Sequence, residues 1–322
     1  MTILFVGNNG NDIAGLGNGT GTTAREAAYN PDQAEGLANS ASVETFTIVP
    51  SAESADFWLH LRMRLPNMST TSADGIFCSF WDAAGLRVGY VDINDGNLFL
   101  VADDGTISAL APIGYTSATT FTFDVHIRVD GSGILIEWYT NGALAATATR
   151  PTTGGRTGVS LVKFDMDDVV GTTGSPFAVS EVICTDGEPT IGWRLATLTP
   201  NANGTYGEWL GGFADIQNLN DGSSIKAATA GLRESFTTTA YGGNASPAGV
   251  RAVIVGAFAQ KGQTGPQQLA AFARIAGTNY DLPAVTPPGG KHNFEFAVNP
   301  ATGLPWATAD LATTEFGFLS VT

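Results

Sequence analysis

The sequence has few charged residues, only two cysteines and no long hydrophobic run. Charged side chains make up 14% of the 322 residues, about half of their usual share. No stretch approaches the roughly 18 apolar residues of a membrane helix, so we expect no membrane insertion. The opening MTILFVGNNGND lacks a basic segment followed by an apolar run. We therefore expect no signal peptide and synthesis in the cytoplasm.

The two cysteines, Cys78 and Cys184, each lie in an apolar, strand-like segment (GIFCSF and EVIC). Cysteine in such a segment behaves as a small hydrophobic residue. We interpret both as buried free thiols rather than as a disulfide. Two cysteines alone cannot complete a tetrahedral zinc site, and no motif in the sequence indicates a cofactor.

Basic residues are outnumbered by acidic ones, and the formal net charge is −15. Residues 1–188 hold 22 acidic and 8 basic side chains, whereas residues 189–322 hold 8 and 7. An acidic surface repels nucleic acid and anionic membranes, so we expect neither as a partner. We expect the acidic first part to face solvent and the nearly neutral second part to pack against protein.

Apolar residues are plentiful at 43%, and they follow a period of two in long segments. In the segments 57–65 and 121–129 the odd positions are all apolar, whereas the even positions carry the polar groups. Successive side chains of a strand point to opposite faces, so each segment predicts one strand over a core. Asn141-Gly142 is a strong hairpin signal because both residues tolerate positive φ. We predict an all-β protein of two consecutive antiparallel β-sandwiches of the jelly-roll type.

The chain is predicted to have three parts. Residues 1–22 contain many Asn, Gly and Thr residues and are interpreted as a flexible arm that becomes ordered on docking. Residues 23–188 form the first sandwich and residues 189–322 the second, with a cluster of turn residues at the boundary. Only 23–29 and 267–276 have a helical alternative, and for the latter we favour a strand. Further strands are predicted at 43–49, 75–81, 86–93, 97–102, 134–139, 158–164, 177–184, 191–195, 205–210, 223–239, 249–260, 268–277, 291–298 and 313–321.

Known catalytic motifs are absent from the sequence. Many glycan-cleaving jelly rolls carry two carboxylates on one strand, as Glu-x-Asp-x-x-Glu or Glu-x-Asp-x-Glu, and no such run occurs. The sequence also has no Gly-x-Ser-x-Gly segment and no phosphate-binding loop. We therefore expect no enzymatic activity.

Acidic and histidine residues offer only weak metal candidates. Asp165 and Asp167 would share one face of a strand and are weak candidates for calcium ligands, with a solvated turn as the favoured alternative. His60 and His126 occupy outward positions of strands and could approach each other across a sheet, whereas His292 is distant in sequence. We expect exposed strand histidines rather than metal ligands.

Aromatic residues leave sugar binding open. Trp58, Trp81, Tyr90 and Tyr139 are candidates to stand outside the core, where their ring faces would bind a glycan with help from amide or carboxylate groups. The alternative is that they are core residues, as we expect for Trp138.

Several segments resemble parts of known protein families. ILIEWYTNGALAATAT at 134–149 is similar to the strand-turn-strand of concanavalin A-like (laminin-G-like) jelly rolls, in which FWLHLRMRL and VSEVIC would lie in the two sheets. A further ordered set resembles structural proteins of tailed phages and related gene-transfer particles. Its segments are GWRLATLTP (192–200), GEWLGGFADI (207–216), GLRESFT (231–237), VRAVIVGAFAQKG (250–262) and NPATGLPWATADL (299–311).

The resemblance to phage proteins implies a non-enzymatic structural component on the exterior of a virion, such as a fibre, a spike or a capsid decoration. Its expected partners are further copies of itself, other virion proteins and a host surface. Two alternatives remain. The first is a lectin-like module that recognises a host glycan, and the second, with less support, is a glycan depolymerase.

Overall fold

The computed structural model describes residues 2–8, 37–39, 45–64, 75–94, 97–114, 120–165, 177–217, 222–241, 249–287 and 289–322. Regular structure in these ranges is nearly all β. The chain divides into two compact units, Met1–Leu195 and Ala196–Thr322. The predicted fold class, an all-β chain of antiparallel jelly-roll sandwiches, is confirmed.

The strands of the first unit form two antiparallel sheets. They are β1 (Thr2–Gly7), β2 (Leu37–Asn39), β3 (Thr45–Ile48), β4 (Asp56–Arg64), β5 (Gly75–Trp81), β6 (Arg87–Asn94), β7 (Asn97–Ala102), β8 (Ala111–Ile113), β9 (Thr120–Asp130), β10 (Gly133–Thr140), β11 (Ala143–Arg150), β12 (Leu161–Asp165) and β13 (Phe177–Asp186). The seven-stranded sheet has the order β1-β13-β4-β9-β10-β11, and β2 also pairs with β13. The six-stranded sheet has the order β3-β12-β5-β6-β7-β8.

One hydrophobic core lies between these two sheets. The apolar residues of β4 at positions 57, 59, 61 and 63 are completely buried, as their alternation predicts. Trp138 is also completely buried and stacks on Phe123 of the neighbouring strand, with ring centroids 4.3 Å apart. The predicted hairpin turn joins β10 and β11, with φ of 49° at Asn141 and 80° at Gly142.

The arm predicted at residues 1–22 is wrong for its first residues. Thr2–Gly7 form β1, which pairs with β13 from Thr2 opposite Asp186 to Gly7 opposite Val182. Leu4 is buried in the core between the sheets. This short apolar run was overlooked because the Gly- and Asn-rich stretch after it dominates the local composition. Residues 9–22 lie outside the described residues.

The first unit also ends later than predicted, because it continues to Leu195 rather than to residue 188. The segment 191–195, predicted as the first strand of the second sandwich, has no strand structure. It belongs to a connection, here called the 187–195 loop, whose contacts are with the first unit. Apolar residues in this loop imitate the pattern of a strand.

The second unit is a smaller sandwich. Its strands are β14 (Pro200–Gly207), β15 (Arg233–Thr238), β16 (Val253–Ala259), β17 (Gln268–Ile275), β18 (Thr278–Asp281), β19 (Gly290–Phe296) and β20 (Glu315–Val321). Five of them form a sheet of order β14-β15-β20-β17-β18, whereas β16 pairs with β19 in a separate ribbon. The segment 267–276 is therefore mainly strand, as favoured. Core residues from both layers include Ala273, Phe296 and Phe316, around the buried Trp306.

Cys78 and Cys184 are free and completely buried, as interpreted from the sequence. Burial raises the pKa of both thiols above the ordinary value, which keeps them protonated and unreactive. Among the described residues, no helix is long and apolar enough to cross a membrane.

Glu234 of β15 is a completely buried carboxylate in the second unit. Its Oε2 accepts a hydrogen bond from the Trp209 backbone N–H at 3.0 Å, whereas its Oε1 is buried and accepts none from the described residues. Burial is the main cause that raises the pKa of Glu234, and the backbone N–H groups of Trp209 and Glu208 oppose it. The ionised form of this group therefore opposes folding.

Replacement of Glu234→Gln should change how the free energy of unfolding depends on pH. Because the folded-state pKa is raised, the stabilising contribution of Glu234 is complete below its ordinary pKa of 4.5 and is lost as the pH rises through the folded value. We expect the variant to gain stability relative to the wild type as the pH rises from 4.5 through the folded value, and the difference to stay constant at higher pH. Urea unfolding from pH 4 to pH 8 measures this, and parallel curves for the two proteins would contradict it.

Candidate functional site

The 187–195 loop lies on the outer face of the seven-stranded sheet. Gly187 starts it with φ of 69°, a conformation that glycine adopts without strain. A turn follows in which the Trp193 N–H donates to the Thr190 carbonyl at 2.9 Å, and Gly192 within it has φ of 78°. The loop thereby reverses and returns to β13. It divides the outer face into a covered part and an open part.

Polar groups fill the covered part. His60 of β4 and Asp124 of β9 are completely buried, and His60 Nδ1 lies 2.8 Å from Asp124 Oδ1. The hydroxyl of Thr190 in the loop donates to the same oxygen at 2.7 Å. His60 Nε2 and Asp124 Oδ2 make no hydrogen bond with the described residues. The loop thus covers a polar layer that an ordinary sheet would expose to water.

Glu181 anchors the end of the loop. It interrupts the regular pairing of β13 with β4 and has φ of 54°, which is rare for a residue other than glycine. Its carboxylate is fully buried and accepts two hydrogen bonds from Arg194, at 2.6 and 2.9 Å. Arg62 lies 3.4 Å from the same carboxylate, and the Leu195 N–H also donates to it. Four donor atoms therefore surround this carboxylate, and the three that come from the loop attach it to β13.

The open part carries a set of residues that we call the His126 cluster: Asp56, Trp58, His126, Glu137 and Tyr139. Trp58, His126 and Glu137 stand directly opposite one another on β4, β9 and β10. His126 Nε2 lies 2.7 Å from Asp56 Oδ1, and its Nδ1 lies 2.9 Å from Glu137 Oε2. Ionised carboxylates only accept, so both contacts are hydrogen bonds when the ring carries two protons.

Aromatic packing fixes the cluster further. The Trp58 ring stacks on His126 with centroids 4.3 Å apart, and the Tyr139 ring lies 5.8 Å from Trp58. The Tyr139 hydroxyl donates to Glu137 Oε2 at 3.1 Å. Burial, followed by the negative charge of Glu137, raises the pKa of Tyr139 and keeps its hydroxyl protonated. Both sides of the imidazole and one side of Glu137 are therefore held in fixed positions.

Two carboxylate side chains of the cluster are partly exposed to solvent. The side chain of Asp56 is 48% exposed and that of Glu137 is 23% exposed. Asp56 Oδ2 and Glu137 Oε1 accept no hydrogen bond from the described residues. Because the other oxygen of each carboxylate is tied to His126, these two acceptors have defined directions. They can accept hydrogen bonds from the hydroxyl groups of a ligand.

The four aromatic residues proposed as glycan contacts fall into two pairs on opposite faces of the sandwich. Trp58 and Tyr139 belong to the His126 cluster, whereas Trp81 and Tyr90 lie on the six-stranded sheet. Trp58 and Tyr90 do not belong to the core between the sheets, but other side chains cover them and they are only 6% and 7% exposed. Neither ring face can therefore stack on a sugar. Trp81 and Tyr139 are partly exposed.

Tyr90 is covered by an arginine rather than by the core. The Arg87 guanidinium lies over its ring, 4.2 Å from the centroid, and Arg87 Nε is 2.8 Å from Asp103 Oδ2. Trp81 donates from its indole N–H to the Ser79 hydroxyl at 2.8 Å. Burial raises the pKa of Tyr90, and the Arg87 charge opposes this. These contacts stabilise the sheet, and the Arg87 guanidinium covers the face of the Tyr90 ring.

Histidine exposure was also predicted wrongly. His60 is completely buried, and the side chain of His126 is 13% exposed, because carboxylates, the 187–195 loop and aromatic rings surround them. The partners Asp56, Asp124 and Glu137 are not among the predicted site residues. Alternation places each of them on an outer face, but only the register between strands shows that they meet a histidine.

Of the two weak calcium candidates, the structure describes only Asp165. Asp165 lies at the end of β12, where its carboxylate is 3.5 Å from Lys163 Nζ. Asp167 lies outside the described residues. Within the described ranges, no group of three or more His, Cys, Asp or Glu side chains could hold a metal ion.

Comparison with known proteins found no matching family model and no matching curated protein. Similar solved structures include the cellulose-induced protein Cip1, which is 15% identical with a TM-score of 0.38, over 55% of this chain and 91% of that chain. The catalytic domain of a glycoside hydrolase family 131 protein from Coprinopsis cinerea is 16% identical with a TM-score of 0.32, over 53% and 79%. Galectin LEC-6 from Caenorhabditis elegans is 18% identical with a TM-score of 0.30, over 45% and 94%. These are jelly-roll β-sandwich proteins, and none of the three is described as a virion component.

Replacement of Glu181→Gln should destabilise the first unit by about 3 kcal/mol, because it leaves Arg62 and Arg194 without their buried counter-charge. Chemical denaturation measures the change. Asp130→Asn is the matched control, since Asp130 and its partner Arg128 are 43% and 47% exposed and such an exposed pair contributes little to stability. Equal losses in the two variants would show that the Glu181 carboxylate is not an anchor.

Proposed function

We propose that this chain is a non-enzymatic binding protein whose first unit recognises neutral, hydroxyl-rich glycans at the His126 cluster. The observation that carries the proposal is the pair of partly exposed carboxylates, Asp56 and Glu137, each oriented by a contact of one oxygen with His126. Carboxylate oxygens are strong acceptors for sugar hydroxyl groups. The partly exposed Tyr139 ring beside them offers an apolar surface for the C–H groups of a sugar.

Charge supports a neutral ligand rather than an acidic one. Residues 1–188 carry 22 acidic against 8 basic side chains, and the site itself presents two carboxylates to one histidine. An anionic sugar would be repelled by this surface. A neutral glycan can donate hydrogen bonds to the carboxylates without electrostatic repulsion.

The geometry of the cluster also favours binding over cleavage. Glycoside hydrolysis assigns different roles to two carboxyl groups, one of which must donate a proton while the other stays ionised. Asp56 and Glu137 are instead tied to the same imidazole, at 2.7 and 2.9 Å. This shared contact holds both as acceptors.

Binding of the full chain to an array of neutral and acidic glycans tests the proposal. We expect neutral glycans to bind, and Glu137→Gln to weaken the strongest of them about tenfold, the effect of losing one hydrogen bond to a charged group. Asp165→Asn serves as the control, because this carboxylate lies on β12 in the six-stranded sheet, on the opposite face of the sandwich, and its side chain is 34% exposed. Absence of neutral-glycan binding, or equal loss in the control, would overturn it.

A second candidate is a structural role on the exterior of a tailed-phage particle. It is favoured by the order of the sequence segments between 192 and 311 and by the nearly neutral charge of residues 189–322. Exposed apolar side chains in the second unit, such as Leu210 at 75% and Leu304 at 64%, suit protein contacts. In this role the first unit would face outward and the glycan site would contact the host surface.

Purified particles from a lysate that contains the chain test the structural role. We expect the chain to co-purify with particles in a fixed ratio to the other particle proteins, and antibody labelling to place it on the exterior by electron microscopy. Recovery only in the particle-free supernatant would exclude this role. The glycan-binding proposal does not depend on the result.

A further inference from the structure

The ribbon formed by β16 and β19 has open edges. This ribbon has only two strands, whereas the other sheet of the second unit has five. Along its whole length from Val253 to Ala259, β16 pairs with β19 on one side, and the described residues provide no strand on the other. Every second backbone N–H and C=O of β16 therefore points away from the ribbon. Such an edge can accept another strand.

The sequence of β16 lacks the usual protection of an edge strand. VIVGAFA contains no charged residue and no proline, whereas natural edge strands commonly carry lysine, proline or a bulge. Phe258 is 49% exposed on the outer face of the ribbon. Residues 189–322 carry 8 acidic and 7 basic side chains, so charge repulsion does not oppose association of two copies.

We propose that β16 pairs antiparallel with β16 of a second copy of this chain. Gly256 is the midpoint of Val253–Ala259, so a two-fold axis at this residue aligns the complete strands. In that register Phe258 of one copy lies directly opposite Ile254 of the other, on the same face. Cross-strand pairs of an aromatic and a β-branched residue stabilise antiparallel sheets. The pairing therefore covers Phe258, the large apolar side chain that the free ribbon exposes.

Charges on β19 fit the same arrangement. Within one copy, Lys291 lies opposite Phe258 and Glu295 lies opposite Ile254. Joining two ribbons at β16 gives a four-stranded sheet. On its outer face, each row of side chains across the four strands runs from Lys291 and Phe258 of one copy to Ile254 and Glu295 of the other. The apolar pair lies at the centre of each row. Two copies thus meet without placing like charges opposite each other, and the symmetry closes at a dimer.

The Gly256→Cys variant tests the register. Directly opposite residues of an antiparallel pair have Cα atoms about 4.5–5.5 Å apart, which is within the range of a disulfide. The backbone at Gly256 has no positive φ and the nearest side-chain atom to an added Cβ is 3.4 Å away, so a side chain is tolerated. We expect mild oxidation to give a covalent dimer. Cys78 and Cys184 are buried and should not contribute.

Leu304→Cys is the matched control, because Leu304 is 64% exposed but lies outside the ribbon. It should form covalent dimers at least tenfold more slowly than the variant with cysteine at position 256. Equal rates, or no covalent dimer in either variant, would overturn the proposed pairing.

A second variant, Phe258→Glu, tests association without a disulfide. Within one copy the new carboxylate faces Lys291, so the ribbon should still fold, as a thermal melt will show. In the dimer it would lie next to Ile254 and on the same row as Glu295 of the second copy. We expect sedimentation velocity to show dimer for the wild type and for Leu304→Glu, and monomer for Phe258→Glu. A monomeric wild type, or a dimeric Phe258→Glu variant, would refute the interface.

Discussion

A carboxylate that is removed from water must receive its hydrogen bonds from the protein, and Glu181 imposes this requirement on the first unit. It lies on the outer face of a sheet, where water would normally solvate it, yet its side chain is fully buried. Arg194, Arg62 and the Leu195 N–H supply the donors. Because Arg194 comes from the 187–195 loop, the charge of Glu181 fixes the loop on the sheet.

The position of this loop determines the character of the whole outer face. Where the loop lies over the sheet, His60 and Asp124 are sealed from solvent and contact each other. Beyond the loop, the same kind of His–carboxylate contact is partly exposed around His126. Similar chemistry thus has two roles on one face. Burial makes it structural in one half, and exposure makes it available to a ligand in the other.

The sequence predicted the all-β class, the main strands and the hairpin at Asn141-Gly142, because side-chain alternation and turn residues are local signals. It did not predict β1, whose pairing partner β13 is about 180 residues away along the chain. The His126 cluster shows the same limit. Trp58 and Tyr139 are predicted from the sequence as glycan contacts, but Asp56 and Glu137 join them only through the register of three strands. The sequence did not show that Trp58 is covered, because its covering residues, His126 and Tyr139, come from neighbouring strands.

The anchoring of the 187–195 loop has a practical meaning for dividing the chain. A fragment that stops at the turn after β13, where composition changes, would omit Thr190 and Arg194. It would retain Asp124 and Glu181 without their partners and open a polar layer beneath the missing segment. A fragment that extends through Leu195 retains every one of these contacts. The boundary of the first unit is therefore set by the residues that pair with its last buried carboxylate, Glu181, and lies beyond the end of its last strand.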